Sequence, residues 1–208
     1  MNNDNSYISG WKTPDDWRAF CQRLKNETGA EIWEEAYKEY FLDRLNLRYL
    51  HPIKVLQENG TFSGEGFSIL AILCTLVEFL ESTIEGLKYR FVRHDEKLGE
   101  HEYSSSKNIF VNFLCERHPF RSHFDKELAE EFYRNIRCGL LHEAQTKNSW
   151  KVWAKSHEGK IIDKEKKIVF RDNFMQAVQE FIEDYGIQLK NNQKLQQAFI
   201  RKYDSLCE

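Results

Sequence analysis

Asn135, Arg137, Cys138 and His142 are the side chains of this 208-residue sequence whose types and spacing could do chemistry together. An arginine offers a fork of fixed donors to an anion, and a histidine gains or loses a proton between about pH 5 and 8. On a regular helix the five-residue step from Arg137 to His142 turns them ~140° apart, whereas Asn135 and Cys138 share the histidine's face. Three ways of joining the pair stay open: the arginine's length, a deformation at Gly139, or groups from a second subunit. Cys138 and His142, at i and i+4, could instead act as metal ligands or as a thiolate–imidazole nucleophile. Two ligands do not make a zinc site, so Cys115-x-x-His118 would have to join them. A bland reading competes as well: His142 near the last carbonyls of a helix, with Arg137 in a surface ion pair with Glu130 or Glu143.

A helix must hold these residues. Ser122 and Asp125 read as a capping box, and Asp125, Glu127, Glu130 and Glu131 suit the positive end of a helix. Leu128, Phe132, Ile136, Leu140 and Leu141 then recur as one apolar stripe, with Arg134, Asn135, Arg137 and His142 off its centre. Arg44 with His51 and Arg117 with His123 meet a loose Arg–His spacing too, but they lack this capped amphipathic setting.

The segment Tyr133-Arg-Asn-Ile-Arg-Cys-Gly-Leu-Leu-His-Glu-Ala144, with Arg137 and His142 in an Arg-x4-His arrangement, resembles the motif helix of the HEPN domain family. The likeness is specific over residues 122–147 and looser over 64–87 and 171–185. It implies an all-α, HEPN-like helical bundle that dimerises along the motif helix, so that Arg and His of two subunits face one another. It further implies metal-independent endoribonuclease activity with no cofactor, RNA as substrate, and a toxin or phage-defence setting with an antitoxin or nucleotidyltransferase-like partner. Under that resemblance His142 moves the proton of a ribose 2′-hydroxyl or of the leaving oxygen, and Arg137 holds the scissile phosphate. Cleavage would leave a 2′,3′-cyclic phosphate. Cys138 stands where the family commonly has a polar residue, often asparagine, and it favours the alternative of a non-catalytic module binding RNA, a nucleotide or a protein. The accessory polar group on an earlier helix falls to Glu78 or Glu81.

The remaining pattern supplies the frame. Thr13-Pro14 starts a helix whose apolar side is Trp17, Phe20, Cys21 and Leu24, ending at Gly29. A second helical stretch from Ile32 is expected to break or kink at Pro52. Phe67 to about Phe91 reads as the longest buried helix, His94 to Ser106 as a surface loop, and Ser106–Cys115 as a short helix. Alternation at Trp150–Lys155 and the run Lys167–Phe170 predict a small β-hairpin or three-stranded appendage, with one tryptophan of Trp150 and Trp153 inward and the other exposed. Phe174 to Tyr185 forms a helical stripe ending at Gly186, and a last helix carries Lys190, Lys194, Arg201 and Lys202 on one face. Gly64 and Gly66 read as turn residues, and His94 and His101 as loop residues.

Composition bounds the rest. With 41% hydrophobic and 30% charged residues and 3 prolines, the chain suits one helix-rich domain: a HEPN-like core over about 31–186, a helical extension over 1–30 and a closing helix over 187–208. A net charge of −3 provides no global field for nucleic acid, so RNA binding must use a local patch. Five scattered cysteines suit reduced thiols. The first residues lack a signal-peptide pattern, and Phe67–Val77 is about half the ~20 residues a membrane span needs, so a cytoplasmic protein with no membrane segment is expected.

Overall fold

The computed structural model describes residues 7–27, 29–61 and 63–208. It is mainly α-helical, 64% helix and 7% strand. Helix α1 (Pro14–Asn26) opens on a reciprocal capping box between Thr13 and Asp16, as its sequence predicts. Gly29, with φ 139°, stands at the N-cap of α2 (Ala30–Ala36) and does not close α1. The chain then stays helical through α3 (Asp43–Leu45) and α4 (His51–Glu58), with π-helical segments at Tyr37–Leu42 and Asn46–Leu50. The break expected at Pro52 is absent. His51 N–H already bonds to Asn46 O, five residues back, so the ladder has changed register just before the residue that lacks an N–H.

Helix α5 (Glu65–Glu85) stops at Gly86, whose φ of 65° turns the chain into β1 (Lys88–Tyr89), so the helix ends before Phe91. Strand β2 (Glu102–Tyr103) pairs in parallel with β1 and lies inside the stretch expected to be loop. With 21 residues and a mean hydropathy of 1.8, α5 is long and apolar enough to cross a membrane, and 61% of its most apolar window is buried within the fold. Helix α6 (Ser106–Glu116) is capped by Ser105. The motif helix starts later than the capping box predicts. Ser122 sits in a 3-10 turn with its hydroxyl donating to Pro119 O, and the extended Asp125 caps α7 (Lys126–Phe132) by accepting from Leu128 N–H.

A π-helical segment, Tyr133–Arg137, joins α7 to α8 (Cys138–Glu143). Strands β3 (Lys151–Trp153), β4 (Ile162–Asp163) and β5 (Ile168–Phe170) form a sheet of order β3-β5-β4. The appendage is three-stranded, but the two predicted runs, β3 and β5, pair in parallel with Val152 opposite Val169, and the antiparallel hairpin is β5 with β4, a strand the pattern did not predict. All three β5 residues are buried. Helix α9 (Arg171–Leu189) runs through Gly186, which is not a helix end. A Cβ there would lie 2.6 Å from the Tyr37 ring, so this glycine serves close packing. Helix α10 (Gln193–Ser205) is capped by Asn192.

The chain forms two compact units. One comprises Met1–His51, Ser82–Ser104 and Asp184–Glu208, the other Pro52–Glu81 and Ser105–Glu183. In the first, α1 packs on α10, so the stretch read as an N-terminal extension and the closing helix share a core. Trp17, Tyr40, Phe199 and Tyr203 meet with ring centroids 4.4–6.2 Å apart. Trp17 Nε1 donates to Asp204 at 2.7 Å, and Tyr203 Oη donates to Tyr40 O at 2.9 Å. The predicted basic face is largely engaged: on α10 Lys202 is buried and donates to Leu87 O and Arg201 donates to Glu85 O, while Lys190, in the turn before α10, pairs with Glu34. The second unit is built on rings, Phe110, Phe113, Phe120, Phe124, Phe132 and Phe174, with Phe132 stacked on Phe110 and Phe174 at 5.8 and 5.6 Å.

Candidate functional site

The motif helix belongs to the second unit. Leu128, Phe132, Ile136 and Leu140 are buried as predicted, but Leu141 is 61% exposed, and the stripe ends one residue early. The π segment has Cys138 N–H bonded to Tyr133 O, five residues back. Single π turns recur at functional sites, although two other π segments among the described residues mean that the feature alone does not select this one. The deformation spans Tyr133–Arg137 and Cys138–Glu143 is ordinary α-helix, so the helix does not deform at Gly139.

Gly139 has another task. A Cβ there would lie 2.5 Å from Gln145 O and 3.4 Å from Thr146 Cα. After the left-handed Ala144 (φ 54°) the chain turns back over the helix, and Lys147 N–H donates to Asn135 O at 2.8 Å. Asn148 Nδ2 donates to the Asn135 side-chain oxygen, also at 2.8 Å. Asn135 is therefore buried and spent on anchoring the loop 144–149. Gly139→Ala is expected to cost ~1–3 kcal/mol in chemical denaturation, since backbone has to move to admit the methyl. Ala144→Gly is expected to add about 1 kcal/mol, because a glycine takes the left-handed conformation without the Cβ penalty.

Arg137 is held. Its side chain is 18% exposed, its guanidinium lies 5.2 Å from the Tyr133 ring centroid, and Nη2 reaches Glu78 Oε2 at 3.4 Å. Burial works against the charged guanidinium, but Tyr133, Cys138 and Glu78 around it outweigh that and raise its pKa. Glu78 also accepts from Ser106 Oγ at 2.7 Å. Glu130 and Glu143, the ion partners considered for Arg137, pair with Lys107 and Lys147 instead. His142 is exposed at the C-terminal end of α8 and makes no hydrogen bond among the described residues.

The two accessory glutamates separate clearly. Glu78 is at Arg137. Glu81 is 2% exposed and takes Arg117 Nε and Nη2 at 2.8 and 2.9 Å, a two-pronged structural ion pair. The Cys138 thiol is engaged with Tyr133 and Arg137. Among the described residues no group of three His, Cys, Asp or Glu side chains is placed to hold a metal, so Cys115 and His118 do not complete a site with Cys138 and His142. Trp150 is buried with Nε1 donating to Glu131 at 3.1 Å, and Trp153 is half-exposed, as strand alternation predicts.

Sequence reasoning missed Tyr133, although its i, i+4 spacing to Arg137 was readable. It also missed a polar hollow beside the motif helix lined by Glu131, Arg134, Asn135, Asn148, Ser149 and Lys167, which only the returning loop creates. Comparison with known protein families, with curated proteins and with solved structures finds no match to this chain.

Proposed function

We infer that this chain is a HEPN-like, metal-independent endoribonuclease that works as a homodimer through the motif helix. The observation that carries the reading is the unequal treatment of the two motif residues. Arg137 is fixed by Glu78 and Tyr133, as a phosphate clamp has to be, while His142 is exposed with its imidazole uncommitted, as a proton carrier has to be. The exposed Leu141 beside His142 gives the same helix an apolar contact for a second copy. In the composite site His142 takes the proton of the 2′-hydroxyl, and that oxygen attacks phosphorus. Arg137 stabilises the charge on the non-bridging oxygens, and the 5′-oxygen leaves with a proton given back by His142, so that a 2′,3′-cyclic phosphate and a 5′-hydroxyl end form with no net proton change. A cytoplasmic toxin or phage-defence setting, with an antitoxin or nucleotidyltransferase-like partner, accompanies this proposal.

Purified protein is expected to cut a mixed single-stranded RNA equally well with and without EDTA, to leave cyclic phosphate ends, and to run as a dimer. Inactivity of the folded dimer on RNA would sink the assignment. A second reading has its own support: Cys138, Tyr133 and Glu78 surround the guanidinium and could keep it from substrate. It makes the chain a non-catalytic binding module. RNA retention without turnover, unchanged in Arg137→Ala, would select that reading.

A further inference from the structure

A pocket of about 400 Å³ opens where α5 begins, away in sequence from the Arg137–His142 motif, with Gly64, Glu65, Gly66, Trp153, Lys155 and Arg171 in its wall. Arg171 is 6% exposed, and its Nε has no hydrogen-bond partner. Glu65 Oε1 lies 3.6 Å from Nη1 and Asp172 Oδ1 3.5 Å from Nε, close enough to balance charge but too long for good N–H···O bonds. A buried guanidinium with an open donor is costly, and an oxygen arriving from a ligand would relieve that cost.

The surroundings are built for the same chemistry. A Cβ at Gly66 would stand 3.4 Å from Arg171 Nη1 and from Val152 Cγ1, an ordinary contact distance, so the guanidinium lies against the first turn of α5. Glu65 and Gly66 open a 21-residue helix and lie at the positive end of its dipole, while Phe67 N–H is already bonded to Gly64 O at 3.0 Å. Glu65 turns its other carboxylate oxygen to Ser63 N–H at 2.9 Å, and Lys155, exposed at the mouth, adds a second cation. Trp153 is 52% exposed and its ring lies nearly perpendicular to Phe170, with centroids 6.3 Å apart.

We propose that this pocket binds a nucleoside phosphate, the phosphate against Arg171, Lys155 and the opening amides of α5, the base on Trp153. Its volume is of the size that small-ligand sites have, ~300–1,000 Å³. The ligand is either a free nucleotide or the phosphorylated end of an RNA strand, which share this chemistry. The proposal does not depend on ribonuclease activity, and Arg137→Ala should leave it intact.

The test is calorimetric titration of the full chain, carrying His142→Ala to prevent turnover, with the four nucleoside monophosphates, adenosine, inorganic phosphate, and oligoribonucleotides bearing a 5′-phosphate or a 5′-hydroxyl. Monophosphates are expected to bind at least ~10-fold more tightly than adenosine, since charged hydrogen bonds carry the contact. Trp153→Ala should weaken nucleotides about tenfold and leave inorganic phosphate unchanged. Arg171→Met should weaken both; because Arg171 is buried, the exposed Lys155→Ala, expected at about threefold, supplies an independent check. Preference for the 5′-phosphorylated strand over the mononucleotide assigns the pocket to RNA ends, and the reverse assigns it to free nucleotides. Absence of binding by every phosphate probe at millimolar concentration, or binding unchanged in both Trp153→Ala and Lys155→Ala, overturns the proposal.

Discussion

His142→Ala is expected to reduce RNA cleavage by ~10²–10⁴-fold under single-turnover conditions while the circular dichroism spectrum and the dimer stay as in wild type. That range is what a positioned proton donor or acceptor contributes. The exposed imidazole makes no hydrogen bond among the described residues, so its removal leaves no partner stranded and the folded state should hardly register the loss. Arg137→Ala should be as damaging or more so, since removal of one donor to a developing oxyanion costs ~10²–10³-fold elsewhere. Arg137→Lys should rescue little, because an ammonium reproduces neither the fork nor the contact with Tyr133. Glu78→Gln tests how the arginine is held. It should lower activity with little change in stability, because Glu78 retains an acceptor for Ser106 and the Arg137 contact is long, at 3.4 Å. If His142→Ala cuts as fast as wild type, the catalytic reading fails whatever Arg137 does.

The second large effect is on stability and concerns the neighbouring glutamate. Glu81→Ala is expected to lower the unfolding free energy by ~3–5 kcal/mol, read from denaturant midpoints, because it leaves the Arg117 guanidinium without the carboxylate that now holds two of its nitrogens. Since Arg117 is 25% exposed, water can recover part of that loss, and the lower end of the range is expected. The double variant Glu81→Leu with Arg117→Met should be less destabilised than the sum of the single changes, as an apolar pair of similar volume replaces a buried ion pair. A small effect of Glu81→Ala would mean that this pair is not the structural anchor its geometry makes it. Three residues apart on one helix, Glu78 and Glu81 thus predict opposite phenotypes, one in activity and one in stability.

Local physics was legible in the sequence where a residue acts on its own neighbours. Thr13 and Pro14 start a helix wherever they occur in such a context, and the apolar spacing of Phe174 to Tyr185 commits that face to a core. The helical setting of Arg137 and His142 was readable for the same reason, as was the inward and outward placement of Trp150 and Trp153. Errors fell where a residue's role is set by a distant one. Gly186 has the look of a helix end but answers to Tyr37, and Gly139 looks like a hinge but answers to Gln145. Ser122 competes with Asp125 for the same cap, and the extended backbone at Asp125 decides between them.

By itself, then, the sequence determined a mainly helical chain, its caps and apolar stripes, and one helix carrying an arginine and a histidine. Only the tertiary structure decided which glutamate serves which arginine, that Asn135 anchors a loop, that Cys138 faces Tyr133 and Arg137, and that Arg171 opens into a pocket with Trp153. The physical reason is range. Capping and amphipathic spacing are written over three or four residues, whereas a hydrogen bond or ion pair between residues 78 and 137 exists only after the chain between them has folded.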